Sequence, residues 1–158
     1  MPTCITWSPI MPAQSTKLSP QQLTAAAKAP IIAYNDKNWG AVKASITPDF
    51  VYDEVATQRK AQGVDQVLDL WQGWAVAFPD SKGTVDNACV SGDTVVLEIT
   101  WRGTHQGPLP TPKGSIPPTG KRIEFRSCVV CEIADEKAKL QRQYFDMATM
   151  LQQIGVGG

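Results

Sequence analysis

The sequence predicts a single α+β domain in which helices cover one face of a curved antiparallel sheet. Three observations carry this. The 158-residue chain is long enough for one core and too short for two ordinary domains. Its first part holds apolar residues at helical spacing, and after Pro79 the period changes to two. Four period-two segments then follow in order, close enough to pair with their neighbours.

Each element has a local reason. In Ser19-Pro20-Gln21-Gln22 the serine caps a helix, the proline takes its first position, and the glutamine three after the cap closes a capping box. Leu23, Ala27, Ile31 and Tyr34 then recur on one helical face, and Pro30 within that pattern predicts a kink or a split. A short helix over 39–46 stops before Pro48, and residues 50–55 read as a strand. Gly63 precedes the strongest amphipathic segment, 64–78. Val64, Val67, Leu68, Trp71, Trp74, Ala75 and Phe78 share one face, with Asp65, Asp69 and Gln72 on the other. Strands are expected over 84–90 and 94–105, joined by Ser91-Gly92-Asp93, and over 121–133 and 140–146, joined around Asp135 by a segment longer than a tight turn. A Pro/Gly-rich connection, 106–120, lies between the two pairs, and a helix over 147–154 ends at Gly155.

Composition narrows the function. Fifteen basic residues balance fifteen acidic ones and no Lys/Arg run stands out, so nothing attracts a phosphate backbone or an anionic membrane. Four scattered cysteines make no disulfide framework, and a single histidine leaves no His-rich metal site. Cys128 and Cys131 sit three apart on a strand and point to opposite faces, which suits packing. Residues 1–14 carry neither a basic region nor an apolar run of signal or membrane length. The expectation is a flexible arm over 1–18, a domain over 19–155, a cytoplasmic location, no metal and no cofactor.

Strand parity selects the candidate site. Val95, Leu97, Ile99, Trp101, Gly103 and His105 share one face, while Val96, Glu98, Thr100, Arg102 and Thr104 take the other. His105 has two readings: a core histidine bonded to backbone, or a donor or general acid/base at a pocket rim. Asp146, between a strand and a helix, is either the cap of that helix or a carboxylate at the mouth of an apolar pocket. Trp101, Trp71, Trp74 and Phe125 are expected to line the pocket, with Tyr52, Asp53 and Tyr144 as further binding residues. No phosphate-cradling glycine motif and no local Ser-His-Asp signature is present.

Several segments together resemble the SnoaL-like polyketide cyclase (ester cyclase) family. They are Ala77-Phe78-Pro79-Asp80, Gly92-Asp93-Thr94-Val95, Gly103-Thr104-His105-Gln106-Gly107, Pro117-Pro118-Thr119-Gly120-Lys121, and Tyr144-Phe145-Asp146 with Met150-Leu151-Gln152-Gln153-Ile154-Gly155. The resemblance implies an NTF2-like, ketosteroid-isomerase-like cone: a curved antiparallel sheet wrapped around a long helix, with a deep apolar pocket. It implies cofactor-free closure of a polyketide ring by an aldol step, with the family's acid/base aspartate falling on Asp146. Cyclases of the family also use a histidine on the penultimate strand, where this sequence has Ser127, Cys128, Val129 and Val130. The expected reaction is a cyclisation or isomerisation of a bulky apolar polyketide- or terpenoid-like metabolite. An epoxide or lactone hydrolase working through Asp146, Asp53 and Tyr52, or a non-catalytic ligand holder, are the alternatives. A homodimer is expected from outward apolar positions such as Val96 and Val130.

Overall fold

The structure is a computed structural model and describes residues 17–157. The expected arm lies outside the described residues but for its last two.

Helix α1 (Pro20–Asn35) starts at Ser19 with the capping box formed: Ser19 Oγ accepts from Gln22 N, and Gln22 Oε1 accepts from Ser19 N. Pro30 does not split it. The helix runs through, and Pro30 is buried with its ring on the wall of an internal cavity, so packing offsets the lost backbone bond. Helix α2 (Trp39–Ser45) leads into β1 (Ile46–Glu54), which begins earlier than expected. A one-turn 3-10 helix (Val55–Thr57) and a short strand β2 (Arg59–Gln62), both missed in the sequence, precede α3 (Val64–Ala77). Then come β3 (Lys82–Ser91), β4 (Thr94–Thr104), a small hairpin of β5 (Leu109–Thr111) and β6 (Gly114–Ile116), β7 (Arg122–Ala134), β8 (Lys137–Phe145) and α4 (Met147–Gln153). No helix among the described residues is long and apolar enough to cross a membrane.

The main sheet has the order β2-β1-β8-β7-β4-β3. The last four strands pair antiparallel as expected, but β1 joins β8 in parallel, so the sheet is mixed. That seam is possible because α3 and two hairpins separate β1 from β8 along the chain. The link between β7 and β8 is tighter than expected. Asp135 and Glu136 both take left-handed conformations (φ 52° and 61°), the signature of a two-residue hairpin turn.

One core lies between α1, α3 and the concave sheet face, built on Ile31, Phe50, Val67, Trp71, Leu97 and Ile99. A second, around Phe78, Leu109, Ile123, Met150 and Ile154, closes the other end under the small hairpin and α4. On the convex face Val96 and Val130 are register partners and half-buried. Gly107 donates to Ala77 O at the end of α3, and a Cβ at this position would run into the Val76 carbonyl oxygen.

Candidate active site

Between α1, α3 and the sheet lies a largely apolar cavity, partly open to solvent. Alternation along the strands decides what faces it. Tyr52 and Glu54 on β1 stand in register with Gln141 and Gln143 on β8, and all four reach the wall. Helix α3 adds Trp71 and Trp74, one turn apart. Trp71 is the hub of the aromatic wall. Tyr34, Phe50 and Tyr52 meet it edge-on at centroid distances of 6.3, 6.2 and 5.5 Å. Each such pair adds roughly 0.5–1.5 kcal/mol beyond area burial, so the wall is stiff.

The buried charged residue on this wall is Glu54. Its residue is only 1% exposed, yet its carboxylate sits on the cavity wall. Four side chains donate to it. Arg59 Nη2 (2.7 Å) and Thr57 Oγ1 (2.5 Å) reach Oε1, while Trp74 Nε1 (3.0 Å) and Tyr52 Oη (3.2 Å) reach Oε2. The guanidinium is also 5.8 Å from the Trp74 ring centroid. A buried carboxylate is tolerated only with a counter-charge and filled lone pairs, and this cluster supplies both. Tyr52 has one proton and two acceptors, Glu54 Oε2 and Gln143 Oε1 (3.0 Å). When it turns to Gln143, one lone pair of Oε2 is freed. Burial, and then the neighbouring Glu54 charge, push the Tyr52 phenol well above its usual range, so it stays protonated.

Five of the expected binding residues line the cavity: Trp71, Trp74, Trp101, Phe125 and Tyr52. Asp53 and Tyr144 do not. Each is one residue from an inward-facing neighbour on its strand, so parity turns it outward. Asp53 lies 3.6 Å from Lys60 Nζ and 4.0 Å from Arg142 Nε on the convex face, and Tyr144 is 44% exposed.

Asp146 is exposed and outside the cavity lining. It caps α4, with Oδ1 accepting from Thr149 N (3.0 Å) and Oδ2 from Thr149 Oγ1 (2.6 Å). Those bonds, the hydroxyl's first, hold its carboxyl below the usual range, opposite to the rise expected of a carboxylate in an apolar mouth. His105 faces inward as parity predicts, but it is fully buried in a second layer. It packs on Phe78 at 5.2 Å, and Phe78, not His105, reaches the cavity. Its Nδ1 accepts from Thr119 N (3.3 Å) and lies 3.0 Å from Thr119 Oγ1, which assigns the ring proton to Nε2. Burial lowers its pKa, with the Gly107 backbone pulling the other way.

The sequence reading missed Glu54 and Arg59. A signal for Glu54 existed: Tyr52 and Glu54 are two apart and must share a strand face, whereas Tyr52 and Asp53 cannot. Arg59 left no comparable trace, because β2 is four residues long with no apolar alternation.

The SnoaL-like polyketide cyclase family model matches residues 24–154. No curated protein matches the chain. Among solved structures, IdmH of Streptomyces antibioticus, a candidate polyketide cyclase, is 25% identical over 85% of this chain and 99% of that one, with a TM-score of 0.72. A protein of ketosteroid isomerase-like fold from Catenulispora acidiphila is 18% identical over 89% and 96%, with a TM-score of 0.70. An LEH-like epoxide hydrolase of M. tuberculosis is 21% identical over 85% and 90%, with a TM-score of 0.66. The α+β architecture with its curved mixed sheet is the NTF2-like, ketosteroid-isomerase-like fold.

Proposed function

The chain belongs to the SnoaL-like polyketide cyclase family, and from that premise we propose a cyclase or isomerase that works by acid–base chemistry on a bulky apolar carbonyl compound, with Glu54 moving the proton. The observation that carries this reading is the buried Glu54 carboxylate on the wall of a largely aromatic cavity. A carboxylate so placed suits removal of a proton from carbon beside a carbonyl, because the substrate itself spreads the resulting charge. Arg59 and Thr57 hold Oε1 and leave Oε2 as the working oxygen. Tyr52 releases Oε2 as it turns to Gln143, and turns back when the proton has moved. Ring closure follows if the enolate carbon attacks a second carbonyl of the same molecule and the alkoxide so formed takes the proton back from Glu54; isomerisation follows if Glu54 returns the proton to another carbon. Protein groups suffice for either.

The hydrolase alternative needs further polar groups around a water. Of the three residues it rests on, Asp146, Asp53 and Tyr52, only Tyr52 lines the cavity. Proton transfer at carbon is the better fit.

The test is α-proton exchange of an apolar bicyclic ketone, 2-tetralone, followed by NMR in D₂O. The wild type should accelerate exchange, Glu54→Gln should lose roughly 10²–10⁴-fold of that acceleration, and Asp146→Asn should retain it. Full acceleration in Glu54→Gln overturns the assignment. Binding of the ketone without any acceleration by the wild type would make the cavity a ligand holder.

A further inference from the structure

Gln141 of β8 stands between Tyr52 and Cys131, its register partners on β1 and β7. It lines the cavity, yet the residue is only 2% exposed. Its amide nitrogen Nε2 is buried and has no hydrogen-bond partner among the described residues. An unpaired buried amide is costly, and folded proteins keep few of them without a use.

We infer that Gln141 is a specificity residue, whose amide donates to a second oxygen of the substrate, distinct from the reacting carbonyl. The substrate class is a ketone that carries a further ether, carbonyl or hydroxyl oxygen on the end that enters first. The inference rests on the Glu54 reading for which carbon reacts; the contact itself is argued from the surroundings of Gln141.

The protein offers the amide nothing. Tyr52 turns its hydroxyl to Glu54 and Gln143, at 3.2 and 3.0 Å. Burial pushes the Cys131 thiol up to about 12, so it stays a neutral S–H, and the Gln141 amide pulls the other way without reaching hydrogen-bond geometry. Nor can Gln141 turn to solvent. β8 is paired on both sides, with β1 and β7, and the register fixes the face on which the side chain stands. The partner has to come through the cavity.

Its depth says which part of a ligand it meets. Along the cavity side of β8 Gln141 is buried, while Gln143 and Phe145 are half-buried. Tyr52 and Trp71 cover the inner end, and the half-buried Trp74 and Phe125 belong with the outer one. Gln143 is the register partner of Glu54, so Gln141 lies one strand repeat further in, roughly 7 Å along β8. That step is too long for the carbonyl oxygen beside the acidic carbon. It suits an oxygen on the far side of a six-membered ring.

Charge narrows the ligand oxygen further. The amide is neutral, and Arg59, the cation bonded at this wall, is already paired with Glu54. A carboxylate or phosphate would arrive here without a counter-charge, which confines the acceptor to neutral groups. Such an oxygen gains no charge as the proton moves. The contact therefore strengthens ground state and transition state alike, and acts on KM rather than kcat.

Two near-isosteric ligands test this. 6-Methoxy-2-tetralone places an ether oxygen across the aromatic ring from the acidic C1, and 6-ethyl-2-tetralone has a methylene in its place. Wild type should bind the methoxy compound about tenfold more tightly, read by tryptophan quenching. Gln141→Leu keeps the volume and loses the donor, and should erase the preference. Its naphthalene affinity should not fall, which shows the cavity intact. Gln141→Met repeats the reading should the leucine variant fail to fold. In the exchange assay the two ketones should differ in KM, with kcat equal within about twofold. Glu54→Gln should keep the binding preference, so the two assignments fail separately: a preference without accelerated exchange removes the base and leaves the contact. Equal affinity of the wild type for the two ketones overturns the proposal. So does a preference that survives in Gln141→Leu, or in Gln141→Met, since the ether would then be read elsewhere.

Discussion

Removing Arg59 is the sharpest test of how the cavity tolerates its charge. In Arg59→Met the aliphatic stem still covers Trp74, but Glu54 loses the guanidinium 2.7 Å away and keeps only the neutral donors Thr57, Trp74 and Tyr52. Two limits bracket the cost. Breaking a fully buried pair costs about 3–5 kcal/mol, and an exposed pair is worth roughly 0–1 kcal/mol. Here the carboxylate side chain is 1% exposed and the guanidinium 41%, so solvent already screens one partner. A loss of about 1–3 kcal/mol follows, which in a chain of this length lowers the melting temperature by about 3–10 °C. The diagnostic is the double variant. Glu54→Gln with Arg59→Met leaves no unpaired charge and should be more stable than the two single losses added together, with a coupling of about 1 kcal/mol. Urea and thermal unfolding of the four proteins measure it. Losses that add to within about 0.5 kcal/mol would show that the ion pair does not hold Glu54 in place.

His105 sets a second expectation. Its folded pKa is lowered by burial, so between the two pKa values the unfolded chain binds the extra proton. Its contribution to stability is therefore complete above the ordinary histidine value of about 6.5 and is lost as pH falls from there toward the lower folded value. It is the only histidine in the chain, so His105→Gln should flatten the melting-temperature slope in that window, and an unchanged slope would refute the assignment. A third concerns Gly83, where a Cβ would stand 2.9 Å from the Trp101 ring. Gly83→Ala should push the indole toward the cavity, cost about 1–3 kcal/mol, and weaken naphthalene binding as measured by fluorescence titration. Unchanged binding would mean that the ring yields elsewhere.

Much of the fold was legible because the elements announce themselves locally. The capping box at Ser19, the apolar face of α3 and the strand alternation from β3 onward depend on residues near one another, and the structure repeats them. What was hidden depends on partners distant in sequence. Nothing near β1 says that it will lie parallel to β8, and nothing near Pro30 says that its ring will be packed well enough for the helix to continue. The site divides the same way. Trp101 followed from strand parity and Trp71 and Trp74 from the apolar face of α3, both of which are local. Asp146 is a favoured cap residue before a helix and a carboxylate after an apolar strand, and sequence alone does not say which of the two wins. Thr149 decides it, by taking both carboxylate oxygens. Glu54 finds its counter-charge nearby in Arg59, but its place in the cavity also depends on Trp74 and Gln143, which come from α3 and β8.

The charged end of the cavity has an unusual provenance. Tyr52, Glu54, Thr57 and Arg59 all come from eight consecutive residues, while the aromatic container, Tyr52 apart, is assembled from the rest of the chain. Chemistry and shape thus overlap at Tyr52 alone of these four. Glu54, Thr57 and Arg59 form a cassette: exchanging them would alter which proton can be moved while Tyr52 keeps its place against Trp71. Substitutions around Trp71, Phe125 or Ile123 would remodel the container and leave the reactive group alone. A fold partitioned this way can try new substrates and new reactions along independent axes, one short stretch of chain at a time.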